Sequence, residues 1–282
     1  MQKSEQITLI GILLNILLFI LKISVGLVSG SLAIMSDAFN SLTDILSYSG
    51  VYLAVRISNK KPDDDHQFGH KRAEPIAGLI MSIFAGVLGL EIIRAAFIST
   101  FKSYAPDIAH SAVIVMVLTI ITKLFMFLYY SKQRKALDSP AIRAAGIDSR
   151  NDVFVSSVAL ISIMGVGFGY PVLDSIAALV ISIFIFYSGY RIAKENINYL
   201  MGKSPPKDYL RLIKAAVAKI DGVRGINDVR AHYVGNKIHI EIHIEVDKML
   251  TTKKSHDIGK KAQFAVEDFK YVEKAFIHID PT

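Results

Sequence analysis

Over its first 200 residues the chain arranges its apolar positions in long unbroken runs; beyond them it alternates. Each run is about 20 residues, the length a helix needs to cross a bilayer at 1.5 Å per residue. They predict six spans: Ile7–Val28, Leu32–Val55, Glu74–Ile98, Ser111–Tyr130, Ala141–Val166 and Val172–Ile192. Ser29-Gly30-Ser31 and Gly169-Tyr170-Pro171 mark tight turns between spans. After Lys203-Ser204-Pro205-Pro206 the period changes. Leu210, Ile213, Val217 and Ile220 recur at helical spacing, and Ile226–Tyr233 reads as a strand before the Gly235-Asn236 turn. Lys237–Asp247 alternates, with Ile238, Ile240, Ile242, Ile244 and Val246 on one face and His239, Glu241, His243 and Glu245 on the other. Thr251–Phe269 reads as a helix and Tyr271–Ile279 as a last strand. The expected architecture is an all-α six-helix transmembrane domain, residues 1–202, followed by a small cytoplasmic α+β ferredoxin-like domain, residues 203–282.

Composition agrees with a membrane protein. Of the 282 residues 52% are hydrophobic and 20% charged, against about 45–50% and 25% in soluble domains. The first run is too long for a cleavable leader and lacks a small-residue cleavage site. Arg56, Lys60, Lys61, Lys71 and Arg72 lie between spans two and three, and Lys132, Arg134, Lys135 and Arg143 between spans four and five. The opposite side holds only Lys102, so both termini are expected in the cytoplasm; compactness suggests a bacterial cytoplasmic membrane. The net charge of +7 is spread over loops and a tail that interleaves lysines with acids, which argues against nucleic-acid binding. With no cysteine in the chain, disulfides and thiolate metal sites are excluded.

Ionisable residues inside spans mark function by default, because burying them in a membrane is expensive. Span two carries Asp37, Asn40 and Asp44 at i, i+3 and i+7, one helical face; span five carries Asp148 and Asp152 at i, i+4. Two helices meeting along these faces would turn Asn40, Asp44, Asp148 and Asp152 toward one point, where the carboxylates repel unless a cation joins them. All eight histidines lie outside the predicted spans. An oxygen-only donor set suits Mn²⁺ and other hard cations better than Zn²⁺. In the loop after span two, His66 and His70 are i, i+4 neighbours beside Asp63. Asp174, near the start of span six, reads as a helix-start carboxylate. Lys22 and Lys123 fall within spans, where lysines snorkel or pair. His232 and His239 read as ordinary exposed strand residues.

Asp37-Ala-Phe-Asn40-Ser-Leu-Thr-Asp44, Asp148-Ser-Arg-Asn-Asp152 and Phe68-Gly69-His70-Lys-Arg-Ala73-Glu74 together resemble the cation diffusion facilitator family, over nearly the whole chain. The resemblance implies a homodimer that exports a divalent metal from the cytosol in exchange for protons, not an enzyme and without a cofactor. It makes Asn40, Asp44, Asp148 and Asp152 the transport site, with Asp37 an entry or proton residue. Zinc-type members commonly have histidine at the position of Asp148; Asn40 and Asp148 resemble the manganese branch. It also maps Asp63, His66 and His70 onto a loop metal site and His243, His256, His278 and Asp280 onto a cytoplasmic one, though no histidine stands near Asn227 and Asp228. Coupling follows from chemistry: crowded, desolvated carboxylates favour their neutral form, whereas metal binding needs the charged form and releases protons.

Three readings compete. One is the same transporter carrying Zn²⁺, Fe²⁺ or Co²⁺. Another is a metal-sensing membrane scaffold without transport, which the intact four-residue set disfavours. The third is an intramembrane enzyme that holds diphosphate through Mg²⁺; it would want an acid at Tyr48 and basic residues on the same face, where there are none.

Overall fold

The computed structural model describes the backbone of residues 3–101, 106–137 and 140–282, and their side chains except at 3–9, 51, 134–137 and 140–144. Lys102 therefore lies outside the described residues, as do the side chains of Arg134, Lys135 and Arg143. Six long helices come first: α1 (Lys3–Ser29), α2 (Leu32–Ser58), α3 (Ala73–Thr100), α4 (His110–Leu137), α5 (Pro140–Gly167) and α6 (Val172–Leu200). Then come α7 (Lys207–Val217), β1 (Gly225–Val234), β2 (Lys237–Val246), α8 (Thr252–Glu267) and β3 (Val272–Pro281).

The six helices run past most of the predicted spans. Apolar sequence stops where a bilayer would stop, but backbone hydrogen bonding does not, so α6 continues from Ile192 through Lys194, Glu195 and Asn196 to Leu200. His110, expected in a loop, is the first residue of α4. Gly30, with φ of 69°, makes the reversal between α1 and α2, a conformation that costs a residue with a Cβ. Among the described residues, Ile10–Ser29, Ala73–Thr100, His110–Gln133 and Val172–Leu200 are long and apolar enough to cross a membrane. α2 and α5 carry Asp37, Asp44, Asp148 and Asp152 among their apolar residues.

The chain forms two compact units, one from Met1–Val51 with Ile80–Ala193, the other from Tyr52–Leu79 with Lys194–Thr282. In the first, the usual distribution is inverted. Lys22, Asp37, Asn40, Lys123, Asp152 and Asp174 are buried, whereas Leu13, Leu17, Phe84, Val87, Phe125 and Leu128 are exposed. An outward apolar surface suits lipid, and inward ionisable groups must then find partners within the bundle. α3 and α6 meet through small residues: a Cβ on Gly189 would sit 3.0 Å from the carbonyl oxygen of Ser82, so the helices approach closely. Asp174, at the start of α6, accepts from the amides of Leu32 (2.7 Å) and Ala33 (3.3 Å) and from the Ser31 hydroxyl. It caps the first turn of α2 and satisfies donors that a helix start leaves open.

In the second unit the sheet order is β1-β2-β3, β1 antiparallel and β3 parallel to β2. α8 provides the crossover that a parallel neighbour requires. The isoleucine face of β2 is the core: Ile240, Ile242 and Ile244 are at most 1% exposed, packed with Ile213, Val217, Ala262 and Val266 of the two helices. Each such residue contributes roughly 2–3 kcal/mol over its exposed state. α7 stops at Val217, so Ile220 packs on this core from the following turn rather than from the helix. The opposite face corrects an expectation. His239 is only 7% exposed, because the loop after α2 lays Phe68 against its ring at 5.9 Å.

Candidate metal centre

α2 and α5 lie side by side in the first unit and exchange a ladder of polar contacts. Ser156 Oγ donates to Asp37 Oδ2 (2.7 Å), Asn40 Nδ2 to Asp152 Oδ1 (2.8 Å), and Tyr48 OH to Asp148 Oδ2 (2.7 Å). Rising numbers on α2 meet falling numbers on α5, as antiparallel helices require, and the i, i+4 spacing of Asp148, Asp152 and Ser156 keeps them on one face. The predicted faces therefore do meet.

The ladder holds two buried lysines. Lys22 of α1 donates to Asp37 Oδ1 (2.9 Å), the Asp37 carbonyl (3.0 Å) and Ser41 Oγ (2.6 Å). All three ammonium hydrogens thus have acceptors, and Asp37, fully buried, has both oxygens bonded. Lys123 of α4 donates to Asp152 Oδ2 and to Asn15 Oδ1; Asn15 in turn donates to the Gly11 carbonyl at 2.9 Å. Sequence reasoning left both pairings open and missed Asn15 and Tyr48. The signals were present, since an asparagine interrupts the first apolar run and Tyr48 stands four residues after Asp44.

Asp44, Asp148, Asp152, Tyr48, Lys123 and Asn15 line one cavity of about 10 Å³ in the space open to the centre of a water-sized guest. That is room for about one water. Asp44 Oδ2 is buried there without a hydrogen-bond partner, a costly arrangement for a carboxylate oxygen. The four expected ligands do not converge to ligand spacing: Asn40 and Asp152 bond each other, Asp148 is held by Tyr48, and Lys123 takes the second oxygen of Asp152. A basic group thus reaches the carboxylates after all, from α4 rather than from the face of α2.

Among the described residues, two groups bring three candidate ligand atoms within 4.8 Å of one another: Asp63, His66 and His70, and His243, His278 and Asp280. In the loop, Asp63 reaches His66 Nδ1 and His70 Nε2, both at 3.2 Å. The His66 amide donates to Asp63 Oδ1 at 2.7 Å and holds that carboxyl below its ordinary range. On the sheet, β2 and β3 pair His243 with His278 in register, and Asp280 lies 3.5 Å from His243 Nδ1 and 3.2 Å from His278 Nε2. Asn227 donates to Asp280 at 3.4 Å. His256 stands on α8, exposed and outside this group.

Two family models account for almost the whole chain, the cation efflux transmembrane domain over residues 8–201 and the cation efflux protein cytoplasmic domain over residues 205–282. The chain belongs to the cation efflux family. Relatives in this family span its full length. An uncharacterized transporter of Methanocaldococcus jannaschii is 31% identical, covering 99% of each chain. The manganese efflux system proteins MneS and MneP of Bacillus subtilis are 32% and 30% identical, covering 100% and 99% of this chain and 97% of each relative. The solved C-terminal domain of MamM is 28% identical over 27% of this chain and 98% of its own, with a TM-score of 0.26. As a cation efflux family member this chain is a transmembrane protein of a family of metal transporters, with the α+β cytoplasmic domain of that family.

Proposed function

We propose that the chain is a proton-coupled antiporter that exports Mn²⁺ from the cytosol. The observation that carries this reading is the unpartnered Asp44 Oδ2 in an ion-sized cavity shared with Asp148 and Asp152. Three carboxylates and the Asn40 carbonyl are hard oxygen donors, and among the described residues no imidazole lines the cavity. That preference agrees with the relatives MneS and MneP being manganese efflux system proteins. Metal and protons compete for the same oxygens, so a site that opens alternately to either side exchanges one for the other. Residues 1–202 are the transport body, with both termini in the cytoplasm. Residues 203–282 are the cytoplasmic domain through which two copies pair. The Asp63-His66-His70 and His243-His278-Asp280 groups are secondary metal sites.

A second reading, export of Zn²⁺, Fe²⁺ or Co²⁺, draws on the imidazoles of those two groups, which suit borderline metals better than Mn²⁺. The deciding experiment is metal-driven transport in proteoliposomes with a pH probe, comparing Mn²⁺ with Zn²⁺ for the wild type and Asp44→Ala. Mn²⁺ movement with counterflowing protons, lost in the variant, is the expected result. Zn²⁺ movement without Mn²⁺ overturns the metal assignment. If neither metal moves while the cytoplasmic domain still binds one, the chain is a sensor.

A further inference from the structure

We propose that Lys123 is a tethered counter-cation: its ammonium holds the place of the metal in the empty site and is displaced by the incoming ion. The proposal rests on the reading of Asp44, Asp148 and Asp152 as the transport site. Lys123 is 1% exposed and comes from α4, a helix without an acid of its own among its described side chains. It reaches across to Asp152, whose other oxygen is taken by Asn40. A bound dication needs that same carboxylate at about 2 Å. Two cations cannot share one carboxylate oxygen at that range in a low-dielectric interior without strong repulsion, so the ammonium must leave as the metal enters.

The surroundings suit such a move. The lysine stem is flexible and its charge compact. Asn15 Oδ1 already accepts from the ammonium, and its own Nδ2 is anchored on the Gly11 carbonyl. On losing Asp152 the ammonium keeps a neutral oxygen acceptor. Asp44 Oδ2, without a hydrogen-bond partner on the same cavity, is left for the arriving ion. Lys22 has no such freedom, because its three acceptors hold it against the helix that carries Asp37 and Ser41.

A tethered competitor has a defined signature. Apparent affinity falls by the fraction of time the lysine occupies the site, and removing it restores the intrinsic value. Release is eased by the same competition, since the ammonium re-enters as the metal departs and the empty carrier never leaves Asp152 uncompensated. The test is Mn²⁺ binding by titration calorimetry on the full-length protein in nanodiscs at one fixed pH, with transport rates measured alongside. Lys123→Gln should bind Mn²⁺ at least about tenfold more tightly and transport it more slowly. Lys123→Arg should bind severalfold more weakly, because a planar guanidinium grips a carboxylate with two bonds. A lysine that stays in place also weakens metal binding through its charge, so the tighter binding of Lys123→Gln marks displacement only together with the weaker binding of Lys123→Arg, which keeps the charge.

Unchanged or weaker binding in a folded Lys123→Gln protein overturns the proposal. If that variant does not fold, unchanged affinity in Lys123→Arg does so. Mn²⁺ binding of unchanged affinity and unchanged stoichiometry in both Asp44→Asn and Asp152→Asn overturns the site reading instead.

Discussion

Lys22 with Asp37 and Lys123 with Asp152 are both buried lysine–aspartate pairs whose acids lie on the facing helices α2 and α5, and they are finished differently. Around Asp37 every donor and acceptor is matched: Lys22 saturates its three hydrogens, and Ser156 takes the second carboxylate oxygen. Around Asp152 the balance is incomplete, with a second acid at hand whose oxygen has no hydrogen-bond partner and a small cavity between them. A saturated buried pair costs several kcal/mol to break by removing one partner and has no place for a ligand. An unsaturated cluster of like charges leaves coordination open. Along one helix face, the same chemistry thus serves as a fastening at Asp37 and as a site seven residues later at Asp44.

The largest effect should come from the unsaturated end. Asp152→Asn keeps the shape but removes the charge, and Mn²⁺ transport in proteoliposomes should fall at least about 100-fold, with the protein still folded. Retained transport would place the metal elsewhere. Next is the saturated end. Lys22→Met strands a buried carboxylate and should cost about 3 kcal/mol of stability, read as a lower thermal midpoint in detergent. Mn²⁺ affinity of the folded protein should stay within about twofold. A large loss of affinity at unchanged stability would make Asp37 part of the transport path and remove the distinction between the two ends.

A smaller change tests the edge of the site. Tyr48 OH donates to Asp148 at 2.7 Å, and one such bond is worth about 1 kcal/mol. Tyr48→Phe should weaken Mn²⁺ binding by about fivefold if the hydroxyl aims Asp148 at the cavity. Tighter binding would mean that Tyr48, like Lys123, occupies a position the metal must claim.

What the sequence conveys about this site follows the range of each signal. The spacing of Asp37, Asn40 and Asp44, and of Asp148 and Asp152, is a property of single helices, so the facing carboxylates were legible without coordinates. Which acid each lysine meets depends on how α1 and α4 pack against α2 and α5; Lys123 lies 29 residues from Asp152 and 108 from Asn15, and no local pattern encodes that. Asp174 shows the same limit. Its position announced a helix start, but the amides it caps belong to α2, 142 residues away for Leu32. The alternation of β2 assigned the two faces correctly yet could not tell what would cover the polar one, and so His239 was read as exposed.

That covered face supplies the smallest effect and extends the contrast from lysines to histidines. His239 is buried with only a loose counter-charge in Glu273. Glu273 of β3 is 3.8 Å away and part-exposed, His232 of β1 stacks edge-on at 5.9 Å, and Phe68 of the preceding loop and Phe276 of β3 complete the surroundings. Burial pushes its imidazole below the ordinary 6.5; the charge of Glu273 offsets part of this, and Arg72 adds to the depression. Burial and Arg72 also depress His232. A base with a depressed folded value binds fewer protons folded than unfolded just below pH 6.5. Its stabilising contribution is therefore complete above 6.5 and is lost as pH falls toward the folded value. Lowering pH from about 7.5 to about 5.5 should loosen the packing of Phe68 on the sheet, seen as lower amide protection at Gln67–Gly69 relative to the intrinsic exchange rate at each pH. The loop carries imidazoles of its own at His66 and His70, so the difference from His239→Phe isolates the contribution. That variant keeps an aromatic ring against Phe68, and its protection should depend less on pH. An identical pH slope in the two proteins would show that the loop responds to its own histidines and that His239 is packed there without consequence for charge.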